Sequence, residues 1–145
     1  MRINGGFQVS KIKQLGDRIF EKILAKRGIE AFNGAQGRIL YVLFQEDGVP
    51  IKTVSEKCGL AITSLTTMLE RMEKSGLIIR QQDPGDKRKT LLFLTDMAKA
   101  LKDDYDAISD RMSEIYYQGF TEDEIRTFEA CLERIRLNLE GWQPK

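Results

Sequence analysis

A chain of 145 residues, 41% hydrophobic and 31% charged, has room for one compact domain and the composition of an ordinary soluble globular protein. No stretch approaches the roughly 18–20 apolar residues of a membrane span, and the opening "MRINGG" lacks a signal peptide's apolar core, so a cytoplasmic protein is expected. The chain has no histidine, which removes the commonest general base and the commonest metal ligand; no metal, cofactor or enzymatic activity is expected.

The net charge of +1 hides an uneven distribution. Residues 1–50 carry 8 Lys/Arg against 5 Asp/Glu, residues 51–95 again 8 against 5, and residues 96–140 carry 6 against 12. A polyanion-binding surface therefore belongs in the first two-thirds. Cys58 and Cys131 lie far apart and form neither a CxxC pair nor a zinc site. Both occupy positions where apolar residues are expected and read as buried thiols, with a redox role the alternative.

In chain order, apolar residues recur at helical spacing from Phe7 to about Ala31, with Gly28 as punctuation. A second helix is predicted over residues 34–46, with Asn33 as N-cap and Ile39, Leu40, Leu43 and Phe44 on its core stripe; Gly48 and Pro50 break it. Ile51, Val54 and Cys58 mark one face of a short third helix, and Gly59 supplies the turn after it. The fourth helix runs from about Ile62 to Lys74 with a core stripe of Ile62, Leu65, Leu69 and Met72. Two helices joined by a tight glycine turn are the pattern of a helix-turn-helix.

"LIIRQQ" and "TLLFLT" follow as short β-prone arms, and Pro84-Gly85 between them is turn chemistry. "DPGDKRKT" thus becomes the tip of a hairpin behind a helix-turn-helix, the arrangement of a winged helix. Two helices close the chain. Thr95 caps one from about Asp96 to Tyr117; Thr121 and Glu124 form a capping box for the other, with Phe120 and Ile125 as hydrophobic staple. The expected fold is mainly α with a small β-hairpin wing (α+β), as one domain over residues 1–145.

The outer face of the fourth helix carries Thr63, Ser64, Thr66, Thr67, Arg71 and Lys74. Hydroxyl residues are mediocre helix formers, so this run is a local cost unless the face is used. Short hydroxyls allow close approach, phosphate contacts and base-edge contacts, and Arg71 can reach a phosphate or a guanine edge. Lys52 and Thr53, on the first helix of the motif, are candidates for the DNA backbone. On the wing, Arg88 is the candidate for insertion into the minor groove, Asp86 for orienting its guanidinium, and Lys87 and Lys89 for phosphates. A solvated polar face and an ordinary charged turn are the plain alternatives. The acid pairs Asp83/Asp86 and Asp103/Asp104, without a nucleophile motif, read as turn and surface residues.

"DPGDKRKTLLFLT" closely resembles the wing of the MarR (multiple antibiotic resistance regulator) family, an Asp-x-Arg followed by an alternating strand ending in Leu-Thr, here Asp86, Arg88, Leu92, Leu94 and Thr95. "CGLAITSLTTMLERMEKSGLIIR" is similar to that family's recognition helix and following strand, and "NGAQGRILYVL" to its second helix. The resemblance covers about residues 7–140. It implies a homodimeric transcription regulator, usually a repressor released by a small ligand, that binds double-stranded DNA at a pseudo-palindromic operator. It implies a DNA-binding lobe at 33–95 and dimerisation helices at 7–31 and 96–140, with Ile12, Leu15, Ile19, Ile125, Phe128, Leu132, Ile135 and Leu139 in the interface. A small-molecule effector would enter a crevice that Phe32, Arg38, Tyr41 and Met112 could line, although core or surface packing is the plainer reading of each. Thr67 stands where many members carry Arg, so base preference does not transfer, and the first helix lacks the cysteine of redox-sensing members. A winged helix that binds a protein instead of DNA is the competing reading.

Overall fold

The computed structural model describes all residues from Met1 to Lys145. The chain runs α1 (Gly5–Arg27), α2 (Ala35–Gln45), β1 (Val49–Pro50), α3 (Ile51–Cys58), α4 (Ile62–Lys74), β2 (Ile78–Asp83), β3 (Asp86–Leu94), α5 (Asp96–Lys99), α6 (Lys102–Tyr116) and α7 (Glu122–Glu140). It divides into two compact units, Met1–Ile108 and Ser109–Lys145. No helix is long and apolar enough to cross a membrane.

In the first unit, the core draws Leu24 from α1, Ile39, Leu40 and Leu43 from α2, Val54 and Cys58 from α3, and Leu65, Leu69 and Met72 from α4. Ile78, Leu92 and Leu94 close it from the sheet, Ile108 from α6. The helical recurrence in α2, α3 and α4 turns one stripe of each inward, and burying such stripes is the main force holding a small domain together. Gly59 adopts φ 69°, a left-handed conformation that lets α3 end and α4 start without steric cost. Leu60 N–H then donates to Ser55 O at 3.2 Å.

Several expectations need correction. α1 stops at Arg27, not Ala31, because Gly28 turns left-handed and Ile29 N–H donates back to Leu24 O at 3.1 Å. Asn33 does not cap α2; Gly34, with φ 57° and ψ −139°, sits at that position and no side chain caps it. A Cβ on Gly37 would lie 2.6 Å from Phe32 O, so the chain entering α2 packs directly on its first turn. Ile62 is 53% exposed and leaves the core stripe. The predicted helix from 96 to 117 is two helices: at Leu101 the ladder tightens to an i→i−3 bond with Ala98 O at 3.0 Å, and nothing in the local sequence marks the break.

The hairpin is the larger part of a three-stranded antiparallel sheet of order β1-β3-β2. β1 pairs Val49 with Leu92, and Pro50 closes the strand at the sheet edge, where a missing N–H does no harm. Thr95 caps α5 as expected, its Oγ1 accepting from Ala98 N–H at 3.2 Å. The same hydroxyl donates to Gly76 O at 2.6 Å, fastening the exit of β3 to the end of α4.

In the second unit, α7 opens with the predicted capping box: Thr121 Oγ1 accepts from Glu124 N–H at 3.2 Å, and Glu124 Oε1 accepts from Thr121 N–H at 2.9 Å. Thr121→Ala is expected to lower stability by about 1 kcal/mol, read from urea unfolding at fixed protein concentration. The Thr121 N–H holds the Glu124 carboxyl below the usual Glu value. Its contribution is therefore complete above the unfolded-state pKa and is lost as pH falls through the depressed one. Tyr117 packs edge-on against Phe120 and Phe128 at centroid distances of 5.6 and 6.1 Å. Its hydroxyl donates to Glu129 Oε1 at 2.6 Å; desolvation and then that carboxylate push the phenol pKa up to about 12. Cys131 is exposed on α7, against the expectation of a buried thiol. Cys58 is buried as expected, and burial raises its thiol pKa against the opposing field of Arg38.

Candidate nucleic-acid interface

α4 buries Leu65, Leu69 and Met72 and turns Thr63, Ser64, Thr67, Arg71 and Lys74 to solvent. Thr63, Thr67, Arg71 and Lys74 follow at i, i+4, i+8 and i+11 and so share one face. Thr66 differs: it is half-buried and its hydroxyl donates to Ile62 O at 2.8 Å, one turn back. Its single donor is occupied, leaving an acceptor and a methyl group.

The hairpin tip is tighter than the sequence suggests. Asp83 pairs with Asp86, and only Pro84-Gly85 separates them. Asp83 Oδ1 accepts from Gly85 N–H at 2.9 Å, closing the turn. Gln82, however, pairs with Thr90, so the register jumps there and the three cations Lys87, Arg88 and Lys89 fall in a bulge on β3. The Gln82 side chain donates to Lys87 O at 3.0 Å and pins the bulge. All three cations are exposed.

Asp86 braces Arg88 as expected. Its Oδ1 accepts from the Arg88 backbone N–H and from Nε, both at 3.1 Å, and its Oδ2 accepts from Nη2 at 3.4 Å. These bonds hold the Asp86 carboxyl below its usual range, so the brace is complete above the ordinary Asp pKa and is lost only as pH falls through the depressed value. The Arg88 side chain remains 91% exposed. It is oriented from one side while its other N–H groups face solvent.

A concave groove of about 450 Å³ joins these parts. Lys52 and Thr53 of α3, Ile62 of α4, and Arg88 and Lys89 of the bulge line it together. Thus the structure brings Lys52 and Thr53 to the wing cations, a juxtaposition of residues 35 or so positions apart in the chain that the sequence reading did not make. It also missed Arg80, on β2, whose Nη2 meets Glu73 Oε1 at 3.0 Å and ties the wing to the last turn of α4. The signal was a charged residue in the middle of an otherwise β-prone arm.

A second concavity, of about 500 Å³, is lined by Phe32, Arg38 and Tyr41 together with Lys13, Asp17 and Tyr105. Phe32 is fully buried and stands edge-on to Tyr105 at 5.2 Å, so it serves the core as well. Arg38 Nη1 donates to Cys58 O at 3.2 Å and so satisfies the end of α3. Met112 does not line this concavity and lies in the second unit. No group of three or more His, Cys, Asp or Glu converges as a metal site.

The family model of the MarR family matches residues 32–90. Among curated proteins, the chain is 34% identical over 103 residues to the HTH-type transcriptional regulator TtmR of Methylorubrum extorquens, covering 71% of this chain and 52% of that one. The chain thus spans about half the length of this relative. Among solved structures, the regulator BpsR of Bordetella bronchiseptica, described for the regulation of its DNA binding by 6-hydroxynicotinic acid, superposes with a TM-score of 0.81 at 19% identity over 92% of this chain and 93% of that one. A mutant MarR from E. coli complexed with operator DNA gives a TM-score of 0.78 at 24% identity, over 90% of this chain and 91% of that one. At such identities the structural likeness is one of fold.

The family match falls on the stretch that holds α3, α4 and the wing cations, the named relative is a transcriptional regulator, and the fold is shared over nine-tenths of the length. The stretch from residue 32 to 90, which carries α2 through the wing cations, is thus similar to the MarR family.

Proposed function

We infer that this protein is a sequence-specific regulator of transcription that binds double-stranded DNA as a homodimer, at a pseudo-palindromic operator, and acts as a repressor released by a small ligand. The observation that carries the reading is the shared groove of Lys52, Thr53, Arg88 and Lys89 beside the hydroxyl-rich face of α4. A helix presented this way enters the major groove, while a bulged hairpin with a braced arginine suits the narrow, negative minor groove. In this reading Thr63, Ser64, Thr66, Thr67 and Arg71 face base edges, and Lys52, Lys74, Lys87 and Lys89 face phosphates.

The homodimer rests on unpartnered apolar surface. α7 buries no residue although Ile125, Phe128, Leu132, Ile135 and Leu139 repeat along it. α1 buries only Leu24, leaving Ile12 and Leu15 exposed and Ile19 half-buried. Apolar faces of this extent on a soluble chain mark an interface. A two-fold dimer sets its recognition helices about 34 Å apart, so half-sites should lie roughly one DNA turn apart. The concavity of Phe32, Arg38 and Tyr41 is the place for a small effector; BpsR, of the same fold, is regulated by a small aromatic acid. The reading as a protein-binding winged helix finds no support among the relatives.

The test is selection from a random duplex pool with purified protein. An enriched pseudo-palindrome of that spacing supports the reading, and no enrichment at low salt overturns it. On the selected site, Arg88→Ala is expected to weaken binding by about 1–3 kcal/mol, measured by fluorescence anisotropy. Equal affinities would take the wing out of the mechanism.

A further inference from the structure

Ile62 is the first residue of α4, and it is 53% exposed. The helical pattern assigns it to the core, yet the structure turns it into the groove that Thr53 of α3 and Arg88 of the wing also line. Its neighbours on the exposed first turn are Thr63 and Ser64, so it is the one large apolar side chain there. The exposed half of this isoleucine, held in water beside cations, contributes nothing to the fold. It would gain by meeting an apolar group on the bound molecule.

Duplex DNA offers one apolar group to the major groove, the C5-methyl of thymine. In helix-turn-helix docking it is the N-terminal residues of the recognition helix that meet base edges. We propose that Ile62 is a specificity-determining residue that reads a thymine methyl in each operator half-site. The inference rests on the reading of α4 as the recognition helix. The flanking Thr63 and Ser64 hydroxyls hold the helix end close to the polar base edges, and Ile62 supplies the discrimination between thymine and cytosine, which carries no methyl.

Replacing thymine by deoxyuridine removes that methyl and preserves base pairing. The experiment takes the operator enriched from the random duplex pool, replaces each thymine of one half-site in turn, and measures binding of the full-length chain and of Ile62→Ala. The wild type should lose about fourfold in affinity at one position, the worth of one buried methyl group. Ile62→Ala should bind the thymine and uracil duplexes equally at that position. Because Ile62 is half-exposed, the variant should also melt with the wild type, which separates a lost contact from a lost fold. Indifference of the wild type to every replacement, or an undiminished uracil penalty in Ile62→Ala, overturns the inference and leaves the DNA-binding reading intact. Failure to enrich any duplex overturns both.

Discussion

The double substitution Ile135→Asp/Leu139→Asp is expected to leave each chain folded and to abolish both self-association and tight operator binding. The two side chains are 47% and 71% exposed in the single chain, so charging them costs the isolated fold little. In an interface they would be buried, and each charge would occur twice about the two-fold axis. Desolvating unpaired carboxylates in an apolar contact is worth on the order of 4 kcal/mol or more, a rise of about 10³-fold in the dimer Kd. A monomer grips one half-site and forfeits the intramolecular second contact, typically about 10²-fold or more in affinity. Sedimentation velocity and anisotropy on the selected operator read the two effects. A variant that remains dimeric would remove α7 from the interface.

Raising salt from 50 to 200 mM is expected to weaken operator binding by about 10⁴-fold. In the proposed dimer, Lys52, Lys74, Lys87 and Lys89 would face phosphates in both protomers, about eight contacts, and log K should fall against log salt with a slope of roughly −7. Lys87→Ala removes one contact per protomer and should make the slope shallower by about 2. A flat response would mean that the cations of α3 and the bulge face something other than a phosphate backbone.

Local rules worked wherever the controlling contacts are close in the chain. Gly59 must be left-handed, Thr121 and Glu124 satisfy each other, and Asp86 reaches Arg88 two residues on. The rules failed where distant segments decide. Val49–Pro50 is too short to read as a strand, and becomes one only because Leu91 and Leu92 lie alongside. A stripe at i, i+3 and i+7 put Ile62 in the core, but its position at the very start of α4 leaves no neighbouring turn to cover it. The three-residue bulge is likewise invisible, since it depends on Gln82 pairing with Thr90 while Asp83 pairs with Asp86. Cys131 shows another limit: its place on an apolar-looking helix says that the helix packs somewhere, not that this side chain is the one covered.

In the proposed function, the hairpin tip "DPGDKRKT" is a wing aimed at DNA. Hydroxyl-radical footprinting of the selected operator, with the wild type and with Arg88→Ala, tests it most directly because the radical attacks sugars from the minor groove. Protected minor-groove patches are expected to flank the two half-sites, symmetric about the dyad, and to disappear in Arg88→Ala while the central protection survives at saturating protein. Identical footprints from the two proteins, or no flanking protection from the wild type, would contradict it.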